Sequence, residues 1–381
     1  LRASYAQAGN DADPYLTQIG YNLSSASFNG QQFASIQGDV PLTDLKNELT
    51  GSFELGAELK LFNNRVGIDF TYYNASTKNQ IVGINISSAT GFSSRLINAG
   101  EIKNHGIELL LTATPVKSNS FGWDITVNFS RNRSEVASLA PGIPNLTLIS
   151  SGAGPVSIEA RPGQPYGNIV GYAFKKTPDG SNWLSPTGTY QRDDTTSVLG
   201  NIQPDFLAGI TNSFSYKGFT LSALLDIRKG GQIFSNTKQL QMYSGTGKFT
   251  ENGDNLIADG EIEGPDGKFS KSTLVVDRMD YYTAMGWGNI SQAYVIAADY
   301  VALREVTFGY RIGNLIRSGV LKNLTLSLVG RNLLYLYRDP QFKEMGISPE
   351  AAFGPTTTAQ GFESPGVPST RSMGVNLSLS F

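Results

Sequence analysis

Ser52-Phe53-Glu54-Leu55-Gly56-Ala57-Glu58-Leu59-Lys60-Leu61, followed after Phe62-Asn63-Asn64 by Arg65-Val66-Gly67-Ile68-Asp69-Phe70-Thr71-Tyr72, is the stretch that decides the fold. Phe53, Leu55, Ala57, Leu59 and Leu61 alternate with Ser52, Glu54, Gly56, Glu58 and Lys60. Val66, Ile68, Phe70 and Tyr72 alternate in the same way with Arg65, Gly67, Asp69 and Thr71. Successive side chains of a strand point to opposite faces, so each segment has one apolar and one polar face.

The pattern recurs along the chain. Ile107, Leu109, Leu111 and Ala113 stand against Gly106, Glu108 and Thr112, with Leu110 the exception. Phe121, Trp123, Ile125, Val127 and Phe129 alternate with polar residues, as do Phe219, Leu221, Ala223, Leu225 and Ile227. Val306, Phe308 and Tyr310, then Leu324, Leu326 and Leu328, continue it. The last run is Met373, Val375, Leu377, Leu379 and Phe381. A soluble β-sandwich also alternates. Two details favour a barrel in lipid. The polar face carries full charges (Glu54, Glu58, Asp69, Asp124, Asp226, Arg228), which a water-filled lumen permits. Aromatic residues gather near strand ends, at Tyr72, Tyr73, Tyr300, Tyr310, Tyr335 and Tyr337, where an interfacial girdle would lie.

Composition agrees. Only 40% of the 381 residues are hydrophobic and the mean hydropathy is −0.18. No stretch approaches the roughly 18 apolar residues of a membrane helix. Alternating strands average to neutral, so neither observation counts against a barrel. Cysteine is absent, which excludes disulfides, thiolate metal sites and cysteine nucleophiles. A net charge of −2 gives no basic field for nucleic acid. Leu1 stands first, and nothing near it resembles a signal peptide, so the chain reads as an internal fragment.

Short and long connections alternate. Tight turns are predicted at 62–64, 116–120 and 216–218, with a slightly longer link at 312–321. Long polar loops are predicted at about 10–50, 79–103, 137–203, 230–298 and 338–370. Short periplasmic turns opposite long outside loops are the asymmetry of an outer-membrane barrel. The fold class read here is therefore all-β: a transmembrane antiparallel barrel of about ten strands, with a possible extra hairpin at 161–176.

Longer motifs point the same way. Leu1-Arg2-Ala3-Ser4-Tyr5, Glu54 to Tyr73, and Asn98-x-Gly100-x-Ile102-x-Asn104-x-Gly106-Ile107-Glu108 occur in order. They are followed by Gly200-Asn201-Ile202-Gln203-Pro204-Asp205-Phe206, by Ala298-Asp299-Tyr300-Val301-Ala302-Leu303-Arg304-Glu305-Val306, by Gly330-Arg331-Asn332-Leu333, and by Pro368-Ser369-Thr370-Arg371-Ser372. In order and spacing the chain resembles the C-terminal half of SusC/RagA-type TonB-dependent transporters of Bacteroidetes-like bacteria. That resemblance implies a 22-stranded barrel around a plug, nutrient import across the outer membrane, a TonB complex as energy source and a SusD-like surface lipoprotein as lid. The plug, the TonB-binding segment and the N-terminal strands are missing from these residues, so the remaining barrel must come from the same or a separate polypeptide. An open edge cannot stand in lipid. The family's acidic calcium-like loop is not evident at Asp179-Gly180-Ser181-Asn182-Trp183, and no metal or other cofactor is carried over.

Candidate sites are few. His105 is the only histidine and has no partner at metal or triad spacing; it is expected at a loop end or facing the lumen. Asp254, Asp259, Glu261, Glu263 and Asp266, with Asn252 and Asn255, lack the ligand spacing of an EF-hand and read as a solvated loop. No catalytic constellation is present. Substrate contacts are expected from loop aromatics: Trp183, Tyr190, Tyr243, Tyr281, Tyr282 and Trp287. Oligosaccharides and peptides both fit. The competing functions are a passive porin or structural barrel, and a secreted glycan-binding β-sandwich.

Overall fold

The computed structural model describes residues 1–12, 14, 17–152, 154–251, 256–286, 289–312, 323–350, 358–366 and 369–380. Pro368 and Phe381, both expected around the last strand, lie outside them, as do Asn252, Asp254 and Asn255. Ten long strands form one sheet in sequence order. They are β1 Arg2–Asn10, β2 Glu48–Leu61, β3 Val66–Asn85, β4 Ser94–Lys117, β5 Phe121–Ser138, β6 Phe206–Tyr216, β7 Phe219–Lys229, β8 Tyr300–Arg311, β9 Asn323–Arg338 and β10 Ser372–Ser380. Every neighbouring pair is antiparallel. The stretch at 161–176 adds no hairpin to this sheet. Its Gln164–Pro165 pairs with β5, and its Asn168–Phe174 joins a separate sheet.

The register puts like beside like. Leu59, Ile68, Leu111, Val127, Ile210 and Leu225 are opposed pairwise across β2 to β7 and make one apolar row. Residues directly opposite share a face, so this row fixes the apolar side of the whole sheet. That side is left uncovered: Leu55, Leu59, Phe70, Leu221, Phe308 and Leu328 are all exposed. A sandwich would bury them against a second sheet. On the polar side the Arg2 guanidinium bridges Asp69 at 2.7 Å and Thr71 at 2.6 Å.

The expected tyrosine girdle divides in two. Tyr72, Tyr310 and Tyr337 follow the apolar rows. Tyr73 instead donates to Asn132 at 2.9 Å on the polar side. The Tyr300 hydroxyl contacts Asp226 at 3.2 Å, and Tyr335 reaches Glu350 at 2.7 Å. Tyr73 faces inward by simple alternation with Tyr72. For Tyr300 and Tyr335 the cause is a bulge, where pairing slips between Leu303 and Glu305 and the phase of alternation changes. The aromatic band is denser at the short-turn end. Trp123 stacks on Phe214 at 5.8 Å, and Phe219 packs on Tyr310 at 4.4 Å. His105 also departs from expectation. It lies opposite Asn74 and Arg133, on the face of Ile107 and Leu109.

The loop expected at 79–103 is mostly strand, because β3 and β4 stay paired out to Asn85 and Ser94. Ile81, Val82 and Ile84 against Leu96 and Ile97 supply the β-forming side chains. Two glycines of the Asn98–Glu108 motif have specific tasks. Gly100 has φ +53° beside the bulge where β4 meets β5, and a Cβ there would lie 1.8 Å from the Ser138 carbonyl oxygen. Gly106 leaves room for the Tyr73 ring, whose hydroxyl would be 2.5 Å from a Cβ.

The other long loops are not structureless. Leu146–Ser150, Ser157–Ala160, Asn168–Phe174 and Arg192–Asn201 form a four-stranded sheet. Gln232–Ser235 pairs with Val295–Ala297 and with Phe362–Glu363. Helices α1 Asn236–Ser244, α2 Arg278–Met285 and α3 Pro340–Met345 pack among them. Ser235, Asp277 and Asp339 cap the three helices with side-chain oxygens. This layer holds the protein's core. Ile158, Ile169, Phe234, Ile290, Tyr294 and Phe362 are completely or almost completely buried and share one cluster. Each such side chain contributes roughly 1.5–3 kcal/mol.

Candidate functional site

Three of the expected aromatics meet in the loop layer. Tyr190 meets Tyr281 edge to face at 5.7 Å, and Tyr281 meets Tyr282 at 5.1 Å. Phe174 stands 5.0 Å from Tyr190, and Phe249 stands 6.4 Å from Tyr282. These five rings, with Met242, Met285 and Met345, border a cavity of about 410 Å³. Its walls come from three loops that are far apart in sequence: 139–205, 230–299 and 339–371. α1 contributes Lys238 and Met242, α2 contributes the tyrosine pair, and α3 contributes Gln341 and Glu344.

Polar groups are placed at one side. The Lys238 ammonium donates to the Ala293 carbonyl and to Gln341 Oε1, both at 2.6 Å. Burial pushes its pKa down to about 8, against the pull of Asp339 and Glu344. The tyrosine hydroxyls are engaged within the protein. Tyr282 donates to the Phe249 carbonyl at 2.8 Å, and Tyr190 accepts from the Asp259 N–H at 3.2 Å. Burial raises the Tyr281 pKa, and the hydrogen bond with Tyr190 adds to it.

The remaining expected residues lie apart. Trp183 packs edge to face on Phe269 at 5.0 Å with the Lys175 ammonium 4.7 Å above its ring. Trp183 does not line the second, polar groove of about 320 Å³, which is bordered by Lys176, Asn182, Asp259 and Lys271. Tyr243 is exposed on α1, next to Gly286. Trp287 lies outside the described residues. The neighbouring Asp179 carboxyl is held below its usual range by the Thr177 hydroxyl and the Ser181 N–H. Of the acidic loop, Asp266 pairs with Lys268 at 3.7 Å and Asp259 with Lys271 at 4.0 Å.

The motifs quoted above turn out to be anchors between the loop layer and the sheet. Asn98 accepts from the Lys46 N–H and donates to the Lys46 and Asn79 carbonyls. Asn201 donates to the Tyr166 carbonyl and to Asn168, and accepts from the Gln203 N–H. Asp205 pairs with Arg133 at 2.8 Å. Asp299 takes the Gly230 N–H at 2.5 Å and the Lys229 ammonium. Arg304 lies between Asp226, at 2.7 Å, and Glu350 of the last loop. Sequence reasoning missed the half-buried Lys238 and the fully buried Glu363; their only signal was position inside loops assumed to be solvated.

The comparisons with known proteins agree with this architecture. A family model described as TonB dependent receptor-like, beta-barrel matches residues 1–333. TonB-dependent receptor P26 of Formosa agariphila is 28% identical over 412 aligned residues, covering 100% of this chain and 40% of its own length. TonB-dependent receptor SusC of Bacteroides thetaiotaomicron is 22% identical, covering 82% of this chain and 30% of its own. The solved structure of the RagAB peptide transporter superposes with a TM-score of 0.71 at 20% identity, over 100% of this chain and 40% of that one. At that identity the likeness shows the fold. The chain thus spans about 40% or less of the length of the curated relatives it matches. The chain belongs to the TonB-dependent receptor β-barrel family, and its ten strands are part of the wall of an outer-membrane barrel, apolar face to lipid and polar face to the lumen.

Proposed function

We propose that these residues are the C-terminal wall and outer loop layer of an energised importer that takes up oligosaccharides or peptides. The observation that carries this reading is the convergence of three long loops on one aromatic cavity at the loop end of a lumen-forming sheet. A passive pore needs no such assembled site. Tyr190, Tyr281 and Tyr282 contact substrate directly in this reading, while Trp183 and Tyr243 contribute from neighbouring surfaces; Trp287 is retained as a contact on its residue type alone.

The two edge strands, β1 and β10, are completed by the rest of the barrel, in the same or a separate polypeptide, which also supplies the plug and the TonB-binding segment. An unpaired edge in hydrocarbon leaves a row of backbone groups without partners, each costing several kcal/mol. A SusD-like lipoprotein sits over the loop layer as a lid. Both the SusC relative and the RagAB neighbour support this arrangement.

The test is growth on a panel of oligosaccharides as carbon source and peptides as nitrogen source, with the gene intact, deleted, or intact in a TonB-deficient strain. The reading expects growth on one substrate class to require both gene and TonB. Uptake that persists without TonB would instead identify a passive pore.

A further inference from the structure

The aromatic cavity has spent most of its hydroxyl chemistry internally. Tyr282 donates its hydroxyl to the Phe249 carbonyl, and the Tyr190 hydroxyl accepts from the Asp259 N–H. The rings meet edge to face, and the thioethers of Met242, Met285 and Met345 fill in between them. Methionine is apolar, polarizable and adaptable, and suits varied apolar guests. Only one side is polar. There Lys238 spends two of its three N–H groups on Ala293 and Gln341, and the exposed Glu344 carboxylate stands at the rim.

That distribution discriminates between ligand classes. A sugar ring carries a hydroxyl on most of its carbons, and each one buried without a partner weakens binding. An apolar side chain makes no such demand. The volume of about 410 Å³ is at the small end of ligand pockets, which run from about 300 to 1,000 Å³.

Resting on the import reading above, we infer that this cavity is a side-chain pocket for a peptide. It takes one aromatic or branched aliphatic residue, with the adjoining backbone carbonyl at Lys238 and a backbone N–H or terminal ammonium at Glu344.

The experiment uses the complete transporter purified in detergent and isothermal titration with three probes. They are a pentapeptide with phenylalanine between flanking glycines, its all-glycine counterpart, and maltoheptaose. The phenylalanine peptide is expected to bind at least tenfold tighter than either other probe. Ala293→Phe, which fills the cavity, removes that preference. Glu344→Lys, on an exposed helix position with little risk to folding, weakens the phenylalanine peptide about tenfold. Equal binding of the two peptides, tighter binding of maltoheptaose, binding of none of the three, or a preference that survives both variants overturns the inference. The import reading is judged separately by TonB-dependent uptake in cells. Loss of that uptake with the peptide preference intact sinks import and leaves the pocket; the reverse sinks the pocket alone.

Discussion

Thr237 gives Glu363 both its hydroxyl, at 2.6 Å, and its backbone N–H, at 3.0 Å. Ser235 adds a third donor at 2.5 Å while capping the first turn of α1 through the Lys238 N–H. Glu363 is completely buried, so this carboxylate ties together the last two of the three loops that wall the cavity. Glu363→Ala leaves three buried donors without an acceptor, at about 1–3 kcal/mol each. Faster proteolysis within the loop layer is expected, with heat-modifiable gel migration of the barrel retained. Equal protease resistance of variant and parent would show that the tie carries no weight.

The face assignment is tested at two adjacent positions of β5. Val127 belongs to the apolar row and Asn128 to the polar face. Val127→Arg places a charge in lipid, at roughly 2–4 kcal/mol near the midplane. Asn128→Arg points into water and is expected to be tolerated. Yields of folded barrel in outer-membrane fractions should separate the two, and similar yields would mean the faces are misassigned.

Gly100 combines a left-handed backbone with a carbonyl where a Cβ would sit. Left-handed strain for a non-glycine residue costs about 1–3 kcal/mol, and the clash with Ser138 must add backbone movement. Gly100→Ala is expected to lower the urea midpoint of the refolded barrel. Gly209→Ala, in β6 with open space around its would-be Cβ, serves as the control and should change it little.

Lys238 makes stability depend on pH in a defined direction. Its pKa is about 8 in the folded protein and 10.5 when free, so the unfolded chain binds the proton more tightly between those values. The buried ammonium therefore costs stability below pH 8, and the cost is relieved as pH rises towards 10.5. NMR of isotopically methylated lysines should show one resonance titrating near pH 8 that disappears in Lys238→Arg. If all lysines titrate together near 10.5, Lys238 is not desolvated.

What the sequence made legible follows from period two. Alternation at Phe53–Leu61, Val66–Tyr72 and Phe121–Phe129 needs only local order, so ten strands and their faces could be counted. Alternation fails where phase changes: the bulge before Glu305 turned Tyr300 and Tyr335 inward. The core of the loop layer was hidden for a different reason. Ile290, Phe342 and Phe362 stand singly, and Ile158 and Tyr294 lie in short apolar-rich stretches at 155–160 and 293–298, with no period to connect them to one another. Only pairings between distant loops bring them together. The same holds for the cavity, where Tyr281 and Tyr282 were identifiable as loop aromatics but Lys238 and Glu344 were not identifiable as their neighbours.

The placement of the core outside the sheet has a kinetic corollary. Phe234 and Phe362 come from segments separated by β8, β9 and the last loop, so their contact closes only after those strands have found their register. Contacts of such separation form late, because the entropy of closing the intervening chain must be overcome first. A slip of one residue in β8 or β9 reverses which side chains enter the lumen and displaces the loop ends that carry the core. The buried cluster thus acts as an inspector of the wall: a misthreaded barrel is left with its outer apolar residues in water, open to proteases, while a correct one seals itself.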